Sequence, residues 1–109
     1  MNIIRMEEKV ELTFLYDFYG ELLGERSRRI VSIYLLEDLT MAEIAEQEGI
    51  SRQAVHDQVK RAAKKLRDYE DKLRLFEKFQ AVKEKVRQAR GLTGNEKVQT
   101  ILNEILDVM

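Results

Sequence analysis

The sequence predicts an all-α protein, and three observations carry that prediction. The 109 residues contain no proline, so no position forbids a long helix. Apolar side chains recur three or four positions apart through most of the chain, which is the spacing of one helix face. The glycines lie where these patterns stop, at Gly20, Gly24, Gly49, Gly91 and Gly94.

Composition narrows the class of protein further. A hydrophobic fraction of 44% with 36% charged residues is typical of a small, highly charged, soluble helical domain. The chain has no cysteine, which excludes disulfides and thiolate metal sites. No apolar run approaches the roughly 18 residues of a membrane span, and the start of the chain does not resemble a signal peptide. We therefore expect a cytoplasmic protein that does not bind membranes.

Two helices are predicted before residue 40. The first is expected to run from Met6 to Leu22, with one apolar side formed by Val10, Phe14, Leu15, Phe18 and Leu22. The second is expected at about residues 25–37, with Ile30, Ile33, Tyr34 and either Leu35 or Leu36 facing inward. Asp38 and Leu39 should form a short corner.

Residues 40–59 have the pattern of a helix-turn-helix, the unit that lays its second helix in the major groove of DNA. Thr40 and Glu43 have the spacing of a capping box, which starts the first of the two helices. Gly49 can adopt the left-handed conformation that ends this helix, and Ser51 is a good N-cap for the next. The residues expected to pack the two helices together are Ile44, Ala45, Ile50, Val55 and Val59.

The helix that begins at Arg52 is predicted to be long, because neither glycine nor proline occurs from there to Arg90. Its apolar residues alternate steps of four and three as far as Phe76, as in a coiled-coil seam, and then lose that register. The spacing is compatible with a kink or with a separate helix near residues 70–76. The full set is Val55, Val59, Ala62, Leu66, Tyr69, Leu73, Phe76, Phe79, Val82 and Val86.

A last helix is predicted after Gly94, capped by Asn95. It carries an apolar stripe formed by Val98, Ile101, Leu102, Ile105 and Leu106. This stripe needs a partner surface, either residues 73–86 of the same chain or a second subunit. We expect a helix-turn-helix domain over residues 1–71 and a C-terminal helical extension over residues 72–109, and we favour a homodimer formed through that extension.

The small net charge of −1 hides an uneven distribution along the chain. Residues 1–51 carry five basic and eleven acidic side chains, whereas residues 68–109 carry eight of each. Residues 52–67 carry six basic side chains against Asp57 alone. Positive charge is therefore concentrated on the helix that would enter DNA, where attraction to phosphates requires it. A solvated helical face is the alternative interpretation of this segment.

Two resemblances bear on these motifs. Two runs, Leu22–Ile30 and Tyr34–Val55, together with the basic segment Lys60–Leu66, resemble region 4 of bacterial sigma factors, which reads the −35 promoter element. Nothing resembles the sigma region that melts the −10 element, so the chain is not a whole sigma factor. The complete chain, including residues 15–19 and 69–73, is similar to the YlxM family of small helix-turn-helix proteins. Genes of this family lie beside those for signal recognition particle components, so membership would imply a regulatory or accessory role in that protein-targeting pathway.

The sigma-like alignment places the candidate DNA contacts at the start of the long helix. Arg52 would pair with guanine and Gln53 with adenine, while Asp57 fits poorly beside phosphates. The basic residues further along would bind phosphates. The complete candidate set is Ser51, Arg52, Gln53, His56, Lys60, Arg61, Lys64 and Lys65. If DNA binding has been lost, the same residues are simply an exposed helix face.

We expect no enzymatic activity, no metal and no cofactor. His56 is the only histidine and has no histidine four positions away, and Ser51, His56 and Asp57 lie too close along one helix to form a catalytic triad. The first hypothesis is a DNA-binding regulator. The second is a protein- or RNA-interaction module of the targeting machinery, and the third is a sigma-like module that docks on RNA polymerase.

Overall fold

The computed structural model describes residues 6–109, which form six α-helices and one short 3-10 turn and contain no β-strand. The helices are α1 (Met6–Tyr19), α2 (Glu25–Leu36), α3 (Met41–Glu48), α4 (Arg52–Leu73), α5 (Leu75–Leu92) and α6 (Glu96–Val108), with the 3-10 turn at Gly20–Leu22. The predicted all-α class is confirmed. Across the described range, no helix is both long enough and apolar enough to span a membrane.

The chain forms two compact units, one ending at Leu73 and the other spanning Arg74–Met109. In the first unit, α4 packs against each of α1, α2 and α3. A cluster at the centre of this unit joins the helix-turn-helix to α2, and its buried members are Ile30, Ile33, Ile44, Ala45, Val55 and Val59. Leu39, Met41 and Ile50 are partly buried against this cluster, so Ile50 contributes to the core as the motif predicts.

The local structure of the helix-turn-helix agrees with its sequence pattern. The Thr40 hydroxyl accepts a hydrogen bond from the Glu43 N–H at 3.1 Å, and the Glu43 carboxylate accepts from the Thr40 N–H at 3.0 Å. Gly49 ends α3 in the left-handed region at φ 69°. The Ser51 hydroxyl accepts from the Ala54 N–H at 3.0 Å and caps α4. Both caps and the turn predicted for this motif are confirmed.

The inward face predicted for α1 is correct at Leu15 and wrong at Val10 and Phe14. Leu12, Leu15 and Tyr19 are buried, whereas Val10 and Phe14 are exposed. Apolar residues lie on more than one side of this helix, so helical spacing alone does not select the side that packs. The side that packs is fixed by contacts of α1 with α4 and α2. In α4, Glu70 accepts a hydrogen bond from the Tyr19 hydroxyl at 2.6 Å.

Two smaller corrections concern the ends of α1 and α2. The predicted first helix stops at Tyr19, and Leu22 is exposed at the end of the 3-10 turn rather than on a buried helix face. In α2 the buried leucine is Leu35 rather than Leu36, and Val31 is an additional core residue. Tyr34 is only half-buried, with the Lys9 ammonium 4.6 Å from the centre of its ring.

The long helix predicted over residues 52–90 is broken at Arg74. This residue adopts the left-handed conformation at φ 54°, so α4 ends at Leu73 and α5 begins at Leu75. The predicted seam is buried from Val55 to Leu66, but Leu73 and Val82 are exposed. Of the two possibilities left open by the sequence, a separate helix is the one observed.

The second unit is a hairpin of α5 and α6. Asn95 caps α6 as predicted, because its side-chain oxygen accepts from the N–H groups of Lys97 and Val98. Arg90 donates to the Asn103 side chain at 3.0 Å and joins the two helices. Val86 is the buried residue of α5, and no residue of α6 is fully buried. Leu102 and Leu106 are half-buried, whereas Val98, Ile101 and Ile105 remain exposed.

Candidate nucleic-acid interface

The amphipathic pattern of α4 separates its packing side from the side that carries the predicted contacts. Val55, Val59, Ala62, Ala63 and Leu66 point into the core. The positions between them face outward because a helix repeats every 3.6 residues. Of the eight predicted contact residues, His56 is half-buried and the other seven are exposed: Ser51, Arg52, Gln53, Lys60, Arg61, Lys64 and Lys65. The structure thus brings all eight to one helix and its cap.

Ser51 caps α4 with two of its oxygen atoms. Its hydroxyl oxygen accepts the Ala54 N–H, and its backbone carbonyl accepts the Val55 N–H at 3.1 Å. The hydroxyl hydrogen is left to donate. A phosphate oxygen is a suitable acceptor for such a group at the N-terminal end of a helix.

Three polar side chains form a small network on the first two turns. The Gln53 amide donates to the Asp57 carboxylate at 3.0 Å, and the His56 Nδ1 lies 3.4 Å from the same carboxylate oxygen. The hydrogen bond from Gln53, with a further contribution from His56, lowers the pKa of Asp57 below its ordinary range. Asp57 therefore remains negatively charged at neutral pH within the predicted contact surface.

The cationic residues of α4 differ in how they are paired. The Lys64 ammonium lies 2.9 Å from Asp68, one turn along the helix, and Arg67 lies 4.0 Å from Glu8 of α1. The Lys64 side chain is nevertheless 78% exposed. Because exposed ion pairs contribute only about 0–1 kcal/mol, Lys64 can exchange Asp68 for a phosphate at little cost. Lys60, Arg61 and Lys65 lie on the same outer side of α4 and are also exposed.

Polar contacts join α2 to both helices of the helix-turn-helix, in addition to the core packing. Ser27 of α2 donates to Gln58 of α4 at 3.1 Å. Arg29 of α2 makes two hydrogen bonds to the Glu48 carboxylate at the end of α3, at 2.8 and 3.1 Å. This bidentate bond to Glu48 raises the pKa of Arg29. Such contacts hold the helix-turn-helix against α2.

Sequence reasoning missed these supporting residues. The Ser27–Gln58 and Arg29–Glu48 contacts join residues 31 and 19 positions apart, so no local spacing indicates them. The Lys64–Asp68 pair is different, because its spacing of four along one helix is a signal that the sequence contains. No group of three or more histidine, aspartate or glutamate side chains is arranged to hold a metal ion within residues 6–109.

Comparisons with known proteins agree with this geometry. Residues 6–105 match the model of the UPF0122 family, described as "Putative helix-turn-helix protein, YlxM / p13 like". The UPF0122 protein of Shouchella clausii is 35% identical over 102 residues, which cover 94% of each chain. The UPF0122 protein of Bacillus velezensis is 39% identical over 104 residues, covering 92% of this chain and 94% of the relative. That of a Geobacillus species is 44% identical over 85 residues, covering 78% and 77%.

Proposed function

The chain belongs to the UPF0122 family of YlxM/p13-like helix-turn-helix proteins, and we propose that it is a DNA-binding regulatory protein. The observation that carries this proposal is the outer side of α4. A correctly capped second helix of a helix-turn-helix presents a row of exposed cationic and amide side chains, while its inner side is buried against α2 and α3. This is the arrangement that a helix needs to enter a major groove while the remaining helices support it.

The proposal assigns different roles to the two parts of α4. Arg52 and Gln53 lie on the first turn and contact base edges, Arg52 through guanine O6 and N7. Lys60, Arg61, Lys64 and Lys65 bind phosphates and supply the attraction that does not depend on sequence. Ser51 donates to a phosphate at the cap, and His56 contacts the groove from its half-buried position.

The first experiment is selection of bound sequences from random pools of duplex DNA and of RNA, using the purified full-length protein at low salt. We expect enrichment of a DNA motif, and an affinity for that motif that falls steeply with salt concentration. Enrichment of RNA alone, or DNA binding that does not respond to salt, contradicts the proposal.

A variant pair then tests the surface itself. Arg52→Ala combined with Lys60→Ala should abolish selective binding to the enriched motif, since a bidentate base contact is worth about 1–3 kcal/mol and a phosphate contact is lost as well. Both side chains are exposed, so circular dichroism should show an unchanged fold. The matched control is Lys78→Ala with Arg87→Ala, which removes the same charge from exposed positions of α5. Equal losses in the two double variants would place the binding surface elsewhere.

A second candidate function rests on Asp57. A charged carboxylate within the contact surface opposes nucleic-acid phosphates, and it suits a protein partner better than a DNA duplex. We therefore propose, as the second candidate, that the chain is an interaction module of the protein-targeting machinery. The YlxM resemblance implies such a role in the signal recognition particle pathway. Capture of partners from extract with and without nuclease separates the two functions. Signal recognition particle components that survive nuclease treatment would favour the interaction module.

A further inference from the structure

The α5–α6 hairpin leaves an apolar surface open on one side. Val98, Ile101 and Ile105 follow one another at steps of three and four, so they form a ridge along one side of α6. Their side chains are 40%, 57% and 36% exposed. Leu102 and Leu106 form the neighbouring row and are half-buried, since α5 is the helix of this unit against which α6 packs. The hairpin thus uses only part of the α6 stripe.

A groove lies between the two helices beside this ridge. Its walls include Ala81, Val82, Ala89 and Leu102, with the Lys85 side chain at the edge, and its volume is about 350 Å³. Ala81 and Ala89 are two helical turns apart on α5, and small side chains at such positions leave room for larger side chains from an opposing helix. Leu102 connects the groove to the ridge, because it lines the groove and lies next to the ridge residue Ile101 along the chain.

The charges of the two helices are opposite in sign. Helix α5 has five basic and two acidic side chains, and α6 has three acidic side chains and one basic one. Lys85 borders the groove on α5. Glu104 lies directly before the ridge residue Ile105 on α6. A ridge with an acidic neighbour, Glu104, and a groove with a basic lining residue, Lys85, are therefore present on the same hairpin.

We propose that this surface binds a second copy of the chain, with α6 of each protomer lying in the α5–α6 groove of the other across a two-fold axis. A two-fold interface requires one patch that complements itself, and this hairpin provides both halves in shape and in charge. Ile101 and Ile105 of one protomer fill the space above Ala81 and Ala89 of its partner. Lys85 and Glu104 form an ion pair twice in the dimer, once on each side of the axis. This inference does not depend on nucleic-acid binding.

The first test is the mass of the full-length protein in solution, measured by light scattering and sedimentation at micromolar concentrations. We expect twice the mass of one chain. Ile101→Asp should raise the dissociation constant at least about 100-fold, because it places a carboxylate in an apolar contact. Thr100→Asp introduces the same charge at an adjacent exposed position off the ridge, and it should leave the dimer intact. A monomeric wild-type protein, with intact helical circular dichroism, would overturn the proposal.

A charge exchange tests the pairing itself. Glu104→Lys and Lys85→Glu should each weaken the homodimer by about tenfold, because each creates two like-charge contacts. Mixed together, the two variants should form a heterodimer of near wild-type affinity, since both ion pairs are then restored. Neither a folding defect nor a contact within one chain produces recovery on mixing. Failure to recover, with both variants folded, would rule out this arrangement of α6 against α5.

Discussion

Asp57 is the residue on the outer side of α4 that fits DNA binding least well, because its side chain is acidic. It is the only acidic residue among residues 52–67, and its carboxylate accepts a hydrogen bond from Gln53. This bond gives the Asp57 carboxylate a role on the proposed contact surface, because it positions the Gln53 side chain, which can contact a base. The negative charge nevertheless remains, and it repels phosphates.

Asp57→Asn should therefore raise the affinity for duplex DNA of any sequence by about three- to tenfold at low salt. The amide can still accept from Gln53, so the network is retained while the charge is removed. Fluorescence anisotropy with unrelated duplexes at several salt concentrations measures the effect. Asp71→Asn is the control, since 14 residues of helix place it about 21 Å further along α4, beyond the screening length. Unchanged affinity in Asp57→Asn would show that this turn does not approach phosphates.

Glu43 illustrates how a single cap depends on pH. The hydrogen bonds that it accepts from Thr40 lower its pKa from an ordinary value of 4.5. A carboxyl group with a lowered folded-state pKa contributes stability that is present above pH 4.5 and is lost as the pH falls through the lowered pKa.

Glu43→Gln keeps an acceptor for the Thr40 N–H but removes the charge. The variant should melt at a lower temperature than the wild type at pH 6, and the difference should shrink steadily below pH 4.5. Thermal unfolding of the wild type and the variant, measured at pH values between about 3 and 7, tests this expectation. A difference that grows as the pH falls would contradict the assigned role of the Glu43 carboxylate.

At the scale of the element, the turn of the helix-turn-helix depends on one backbone conformation. Gly49 has φ 69°, a region in which a side chain costs roughly 1–2 kcal/mol. Apart from Gly49 and its immediate chain neighbours, nothing lies within 4 Å of the position that a Cβ would occupy. The requirement for glycine at this turn is therefore conformational and not one of space.

Gly49→Ala should lower the free energy of unfolding of the first unit by about 1–2 kcal/mol, as measured by urea denaturation. Gly91→Ala is the contrasting variant, because Gly91 lies within α5, has no positive φ and also has open space around it. It should stabilise α5 by about 0.5–1 kcal/mol. Equal effects at the two glycines would show that the left-handed turn at residue 49 is not a determinant of stability.

At the scale of the whole molecule, burial is uneven. The fully buried aliphatic and aromatic side chains lie in α1, α2, α3 and α4, and Val86 is the buried residue of the second unit. A two-helix hairpin with so little buried surface is marginal in isolation. The proposed dimer contact would supply the packing that α6 lacks within one chain.

Hydrogen exchange should reveal this difference. In the Ile101→Asp variant we expect the amides of α6 to exchange quickly while those of Ile44, Val55 and Val59 stay protected. In the wild-type protein at concentrations well above the dimer dissociation constant, α6 should be at least about tenfold more protected. Equal protection of α6 in both proteins would indicate that the hairpin does not depend on a second copy.

Several features followed from local sequence alone. The all-α class, the capping box at Thr40, the turn at Gly49 and the caps at Ser51 and Asn95 were all predictable, because each depends on residues within four positions of one another. The exposed position of seven of the eight candidate contacts followed equally from helical spacing, whereas His56 is half-buried. Their binding to DNA stays a prediction.

Tertiary packing determined the features for which local spacing allows more than one outcome. Helix α1 has apolar residues on more than one side, and packing against α4 and α2 selected Leu12, Leu15 and Tyr19. The spacing allowed a kink or a separate helix near residues 70–76, but it could not decide between them. An arginine in the left-handed region is disfavoured locally, and no glycine or proline marks position 74. Contacts such as Arg29 with Glu48 join distant positions. Local propensity acts over a few residues, whereas these choices depend on which surfaces meet after the chain has folded.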